Sequence, residues 1–355
     1  MTFKLLSKAA LALAAMGLCL SAASAAYKSE YKLSVVPGAS SGWGQTATFF
    51  ADCVRQKSNG RINIKPYFGA QLMAGKQTSE LLLVRRGAID FALASTINWS
   101  PQIKELNLTA LPFFVANNPD RYKAIDAIEA GKSGKMLEKA IEKTGVKFLG
   151  CFRELTTSKG PIEKPEDMKG MKLRVCGTPI FIDIFSSLGA NPQAINWSEA
   201  VTGFQQGIVD GQENPTNGIN VPTKVWQWHK YSTDWHYMID PLFFTANMKV
   251  WKEFSPEDQK LILSCATEAE KYGKALSRLS NDNGQAYEYL KSINKLPAVT
   301  NPKEELKKNG MTVTEYTPEM IKRFYEATAG VRADWTQKIG PNVVKAAEED
   351  MQAAK

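Results

Sequence analysis

Two kinds of hydrophobic pattern alternate along the chain and predict a succession of strands and helices. Residues 31–36 read as a short strand, and the apolar positions of 43–57 recur at the spacing of a helix. Strict alternation over 61–66 predicts a half-buried strand, and continuous apolar runs at 89–94 and 147–151 predict buried ones. Strands and helices that alternate at this spacing are typical of an α/β protein with mostly parallel sheets.

A second unit of the same kind begins near residue 153. Its predicted elements alternate again, as strand 172–175, helix 179–188, strand 190–195 and helix 198–206. Residues 256–290 have a charged helical pattern with few helix-breaking residues, which predicts one long helix.

The N-terminus has the three parts of a secretory signal. Lys4 and Lys8 precede an uncharged apolar run at 9–20, and small residues occupy 21–26. We therefore expect residues 1–26 to be a signal peptide and the mature protein to be soluble in the periplasm. No later run of about 18 uncharged apolar residues predicts a membrane span. The remaining 330 or so residues suggest two domains.

Composition and charge narrow the class of protein. The chain is 44% hydrophobic and 23% charged, as expected for a globular protein, and its net charge is +8. Lysine and arginine are interleaved with acidic residues, which argues against a nucleic-acid partner, and a monomer is the default expectation. Four cysteines follow the signal, at 53, 151, 176 and 265. Their scattered positions predict buried thiols, although export permits disulfides, and pairing stays open.

Enzymatic motifs are incomplete in this sequence. Gly38-Ala39-Ser40-Ser41-Gly42 is a G-x-S-x-G between a predicted strand and helix, so a secreted serine hydrolase is one alternative. Its triad would need His229 or His236, the two histidines of the chain. These two do not form a zinc pattern, and neither a P-loop nor a G-x-G-x-x-G is present. We therefore expect no enzyme activity, no cofactor and no metal.

Two arginines carry the strongest chemical signal. Arg153 follows an apolar strand, and Arg174 lies inside the apolar pattern of the strand at 172–175. A half-buried guanidinium needs an anionic partner, since it cannot lose its charge. That partner is either an internal acidic side chain or the carboxylate of a ligand, whose two oxygens match the guanidinium fork. Residue types alone leave both open.

The same segment resembles the solute-binding subunits of TRAP (tripartite ATP-independent periplasmic) transporters of the DctP type. The matching sequences are PEDMKGMKLRV at 165–175, SEA at 198–200 and GIVDGQENP at 207–215. The resemblance implies a periplasmic-binding-protein-like fold, with two α/β lobes, hinge crossing strands and a long bracing helix. Residues 27–150 and about 239–279 would form lobe I, and residues 151–238 and about 280–355 lobe II.

The resemblance also implies a function and a site. The protein would bind a small carboxylate by domain closure and deliver it to the membrane subunits of a TRAP permease; an extracytoplasmic ligand sensor is a further alternative. By resemblance, the ligand contacts fall on Arg174, Arg153, Asn214, Trp197, Trp43 and Ser95. Trp99 and Tyr237 are additional candidates for the cavity wall. A wall made of Trp43, Trp99 and Trp197 would favour an aromatic or ring-bearing monocarboxylate over a sugar acid, dicarboxylate or keto acid.

Overall fold

The computed structural model of the chain describes residues 27–116, 118, 120–152, 156–158 and 160–354, with the backbone alone at 150–152 and 156–158. The predicted signal peptide, residues 1–26, lies outside the described residues. No helix within the described ranges is long and apolar enough to cross a membrane.

The first sheet has five strands, in the order β2-β1-β3-β10-β4. Their bounds are β1 Tyr31–Val35, β2 Ile64–Tyr67, β3 Phe91–Ser95, β4 Val146–Phe152 and β10 Leu242–Asn247. The pairs β1–β2 and β1–β3 are parallel, whereas β10 is antiparallel to both of its neighbours. All five residues of β3 are buried, because helices cover both faces of this sheet.

The second sheet has six strands, in the order β11-β9-β5-β8-β6-β7. Their bounds are β5 Thr156–Ser158, β6 Lys172–Val175, β7 Asn191–Ala194, β8 Gly211–Glu213, β9 Tyr231–Asp234 and β11 Thr312–Glu315. The short strand β5 is antiparallel to β8 and β9, and the other pairs are parallel.

The α-helices of the described ranges connect and cover these strands. Their bounds are α1 Gly42–Lys57, α2 Glu80–Arg86, α3 Thr96–Trp99, α4 Arg121–Ala130, α5 Lys132–Glu142, α6 Pro179–Ser187, α7 Trp197–Gln205, α8 Met248–Glu253, α9 Pro256–Arg278, α10 Gln285–Ser292, α11 Pro302–Lys308, α12 Pro318–Ala327, α13 Ala329–Ile339 and α14 Pro341–Ala353. A π-helical turn, Thr216–Asn220, follows β8.

The described strands show that the chain crosses between the two sheets three times, which confirms the expected two-lobe α/β fold. The chain passes from β4 in the first sheet to β5 in the second, returns from β9 to β10 through residues 235–241, and passes again to the second sheet between β10 and β11. We call the unit built on the first sheet lobe I and the unit built on the second sheet lobe II. Connections of this kind leave the lobes free to hinge about them.

The long helix α9 is shorter than the sequence pattern suggests. It packs on α1 and β4 of lobe I and ends at Arg278 rather than near residue 290. Asn217 of lobe II donates its side-chain N–H groups to the carbonyls of Ser277 and Leu279 at this end. The chain then turns at Ser280, with a positive φ of 62°, and Asp282 accepts from Ala286 N–H to start α10.

A disulfide joins Cys53 of α1 to Cys265 of α9, with Cα atoms 5.7 Å apart and a sequence separation of 212 positions. The prediction of scattered buried thiols was therefore wrong for this pair. The two helices pack face to face on lobe I, which brings together cysteines that are far apart in the chain. Cys176 is a buried free thiol.

The C-terminal helices α13 and α14 make hydrogen bonds to two earlier helices, α6 and α5. Trp335 of α13 donates its indole N–H to Asp183 of α6, at 2.8 Å. Asp350 of α14 accepts from the backbone N–H groups of Lys132 and Ser133 and from the Ser133 hydroxyl. Asp350 thus caps the N-terminus of α5, whose own preceding residue is Gly131 and supplies no cap.

Candidate functional site

A cavity lies between the lobes, next to the crossing segment 235–241. It is small, about 60 Å³, and both lobes line it. Of the predicted ligand contacts, the structure brings five together around it: Trp43, Ser95, Arg174, Trp197 and Asn214. The arrangement is that of two lobes that meet around a partly open cavity.

Arg174 supplies the positive charge of the cavity. It lies on β6, where Leu173 and Val175 point into the core of lobe II and Arg174 points to the opposite face. The side chain is 2% exposed, and its Nε donates to the carbonyl of Ile195 at 2.9 Å. Among the described residues, its buried Nη2 has no hydrogen-bond partner.

The electrostatics of Arg174 follow from this burial. Burial lowers the pKa of the guanidinium below its usual value, and the nearby carboxylate of Glu213 acts in the opposite direction. The shifted pKa still leaves arginine charged at neutral pH. The site therefore holds a desolvated cation with an unused donor, an arrangement that an anionic ligand would complete.

Trp197 and Asn214 flank this arginine. The Trp197 indole stands over the guanidinium, with the Cζ atom 5.5 Å from the ring centroid. Such a contact suits a weakly hydrated, planar cation. Asn214 lies just beyond β8, and its Nδ2 donates to Gln212 Oε1 at 2.6 Å.

Ser95 lines the cavity but is engaged in a structural role as well. Its hydroxyl accepts from the N–H groups of Ile97 and Asn98, which caps α3, and donates to Asp240 at 2.8 Å. Thr96 donates to the same carboxylate at 2.6 Å. Asp240 belongs to the crossing segment, so this cluster fixes the hinge to the end of β3.

Trp43 closes the lobe I side of the cavity. It is half-buried on the first turn of α1 and packs against Val36 and Met73. Ser41 caps this helix by accepting from Gly44 N–H at 3.0 Å, which orients the first turn.

Trp99 and Tyr237 do not line the cavity, so the prediction that they form its wall needs correction. Trp99 is fully buried in lobe I, where its indole N–H donates to Glu80 and its ring meets Phe243 edge-on. Tyr237 is fully buried in the core of lobe II and packs on Trp235. Both are core aromatics. The residue type alone could not distinguish packing in the core from contact with a ligand.

Several cavity residues were missed by the sequence analysis. Gln77 and Asn98 enter from lobe I, Cys176 lies two residues beyond Arg174 on the same face of the chain, and Asp240 comes from the crossing segment. The period of two along β6 could have indicated Cys176. Burial raises the pKa of its thiol strongly, so the thiol is neutral. No pattern in the sequence points to Gln77.

Three further expectations concern residues near the site. Arg153 lies outside the described residues. Within the described ranges, no group of three or more His, Cys, Asp or Glu side chains is placed to hold a metal ion. Ser40 of the G-x-S-x-G is exposed, while His236 bonds to Asp234 at 2.8 Å and His229 is buried against Phe204. Both histidines thus have contacts elsewhere in lobe II.

The chain is similar to characterised binding proteins over most of its length. The 2,3-diketo-L-gulonate-binding periplasmic protein of Escherichia coli K12 is 29% identical over 231 residues, which cover 64% of this chain and 68% of that protein. The C4-dicarboxylate-binding periplasmic protein of Rhodobacter capsulatus is 23% identical over 331 residues, with 92% and 89% covered.

The fold has a close counterpart among solved structures. A TRAP periplasmic solute-binding protein from Ralstonia eutropha H16, solved with bound (S)-2-acetolactate, is 41% identical with a TM-score of 0.82. The match covers 92% of this chain and 100% of that one. The family model of DctP, bacterial extracellular solute-binding protein family 7, matches residues 33–305. The resemblance seen in the sequence is thereby confirmed: the chain belongs to the DctP family of TRAP solute-binding proteins.

Proposed function

We propose that this protein is a periplasmic receptor that captures a compact monocarboxylate and hands it to a TRAP membrane permease. The observation that carries the proposal is the Arg174 side chain, which is 2% exposed, with an Nη2 that has no hydrogen-bond partner among the described residues. A carboxylate offers two coplanar oxygens to a guanidinium, so it supplies the acceptor that Nη2 lacks and a negative charge beside that of Glu213, which lines the same cavity.

The rest of the cavity suits a short acid with one polar and one apolar end. Phe181, Ile97 and Leu242 offer apolar surface, while Asn98 and Asn214 offer amide groups. The small volume and the absence of Trp99 from the wall weigh against the ring-bearing acid that three tryptophans would have favoured. The relative from Ralstonia eutropha, which was solved with (S)-2-acetolactate, makes branched 2-hydroxy-3-keto acids of about five carbons the first class to test.

Capture without chemical change is part of the proposal. The relatives are solute-binding proteins, and the serine hydrolase alternative is not favoured, because Ser40 is exposed outside the cavity and both histidines have contacts elsewhere. The cavity instead has the parts of a receptor: an anchoring cation in lobe II and a covering surface from lobe I. Delivery to a permease and residence in the periplasm are inferred from the family.

A panel of acids measured by calorimetry and thermal unfolding tests the proposal. The panel contains acetolactate, 2-hydroxy-2-methyl and 2-keto monocarboxylates, succinate, galactonate and benzoate, and the protein is first unfolded and refolded to remove any bound ligand. We expect a compact monocarboxylate to bind most tightly and to stabilise the fold by about 2.7 kcal/mol at 100 times its Kd. If no monocarboxylate binds, or if the protein hydrolyses an ester in a Ser40-dependent reaction, the proposal is wrong.

A further inference from the structure

Gln77 makes a hydrogen bond across the cleft that no sequence motif indicates. Its side chain is 3% exposed and lies on the short helical turn Gln77–Ser79 of lobe I. Its Oε1 accepts from the backbone N–H of Trp197 in lobe II, at 2.8 Å. Its Nε2 donates to Asn98 Oδ1 within lobe I, at 2.7 Å.

The donor of this bond is a helix-terminal N–H. Trp197 is the first residue of α7, and the preceding Asn196 makes no side-chain cap. The first N–H groups of a helix have no partner within the helix, so a side chain or water must accept from them. Gln77 therefore caps a lobe II helix from the opposite lobe, a bond that exists only while the lobes are together.

The neighbouring residues fit the same contact. The Ser198 hydroxyl lies 3.4 Å from the Gly75 carbonyl. Gly75 has a φ of +82°, and a Cβ atom added there would come within 2.5 Å of Ser198 Oγ. Glycine at this position thus serves both the turn and the close approach of the lobes.

We propose that Gln77 is a positioning residue that stabilises the closed form by capping α7 in trans. The residue it holds, Trp197, stands over Arg174, so the cap also fixes the indole against the guanidinium. Closing exchanges two hydrated groups, the Gln77 amide and the Trp197 N–H, for one partly buried bond. A net gain typical of a neutral hydrogen bond favours closure about two- to tenfold.

A disulfide trap measures this contribution without any ligand. The hydroxyls of Ser100 in lobe I and Thr178 in lobe II are 2.9 Å apart, so cysteines at both places can be oxidised to a disulfide when the lobes meet. The rate of trapping in the S100C/T178C protein then reports how often the lobes close. The comparison uses Gln77→Met, which keeps the volume and removes both bonds, and Gln77→Glu, which keeps an acceptor for Trp197 N–H.

The two variants separate trans-capping from a structural role inside lobe I. We expect Gln77→Met to trap about threefold or more slowly, and Gln77→Glu to trap at least as fast as the parent, because a carboxylate is favourable at a helix N-terminus. Gln102→Met is the matched control, since the exposed side chain of Gln102 bonds to the Thr78 carbonyl of its own lobe.

Each other outcome overturns the inference. Equal trapping rates in the parent and Gln77→Met mean that the bond does not favour closure. Slow trapping in both Gln77 variants assigns the effect to the bond with Asn98 instead. The inference rests on the proposed function only in assuming that the lobes close to hold a ligand. The trapping assay contains no acid, so it can show that Gln77 does not favour closure whether or not the acids bind.

Discussion

Replacing Arg174 by methionine separates the two roles that a buried guanidinium can have. Methionine fills a similar volume but has neither charge nor donors. If the arginine served an internal ion pair, the ligand-free protein would lose about 3–5 kcal/mol of stability when the pair is broken. In the structure, Arg174 Nη2 has no hydrogen-bond partner among the described residues, and Nε donates to a backbone carbonyl. The guanidinium therefore destabilises the ligand-free closed form.

The expected result therefore has two parts. The binding free energy of the acid that binds best weakens by about 3–5 kcal/mol, because its carboxylate loses its buried counter-charge. This loss raises the Kd by roughly 150- to 5,000-fold. The free energy of unfolding of the ligand-free variant stays equal to that of the parent or exceeds it by up to about 2 kcal/mol, the cost of a buried unsatisfied group.

Calorimetry on refolded protein gives the Kd, and urea unfolding without ligand gives the stability. Arg174→Lys is the control, since it keeps the charge but cannot offer the fork, and we expect its affinity to lie between the other two. Binding by Arg174→Met within tenfold of the parent would refute the anchoring role. A loss of more than about 2 kcal/mol in the ligand-free variant would instead identify an internal ion pair.

Three other predictions follow from features outside the cavity. Removing the Cys53–Cys265 disulfide by Cys→Ala substitution at both positions should lower the free energy of unfolding by about 2–5 kcal/mol and leave the Kd unchanged. A urea midpoint equal to that of the parent would contradict this prediction. Burial raises the pKa of Glu80 to about 7, so the folded protein keeps a proton that the unfolded chain releases above pH 4.5. The free energy of unfolding should therefore fall by about 3 kcal/mol as the pH rises from 4.5 to 7, and Glu80→Gln should remove that dependence. Parallel pH profiles for the parent and Glu80→Gln would exclude this role of Glu80. Asp350→Ala should cost about 1–2 kcal/mol through loss of the α5 cap, with the exposed Glu349→Ala as the control that unfolds like the parent.

Local patterns predicted the elements well, because each depends on neighbouring residues. The helix at 43–57 was found as Gly42–Lys57, and the apolar run at 147–151 as β4, Val146–Phe152. The end of α9 was missed because the helical pattern continues past a short turn. Asn281-Asp282-Asn283-Gly284 is a run of turn-forming residues, and it marks the break.

What depends on distant contacts was harder to predict. The resemblance placed Arg174, Trp197 and Asn214 at the cavity, since the matching sequence surrounds them. Trp99 was misplaced because an indole in an apolar segment suits a core and a ligand wall equally, and only the Glu80 contact decides between them. The Cys53–Cys265 pair and the Gln77 cap join residues more than 100 positions apart, for which a single sequence has no local signal.

The place of β10 in the first sheet determines when that lobe can be completed. This strand lies between β3 and β4, although roughly 90 residues separate it from the end of β4 in the chain. Until residue 247 is available, β4 has no neighbour in this sheet, and lobe I keeps an open slot with two unpaired strand edges. Lobe II, whose strands β5 to β9 are nearly consecutive, has most of its pairing partners earlier. Strands β5 to β9 of lobe II can thus pair before β10 completes the sheet of lobe I, whereas β11 and the C-terminal helices join the core of lobe II last.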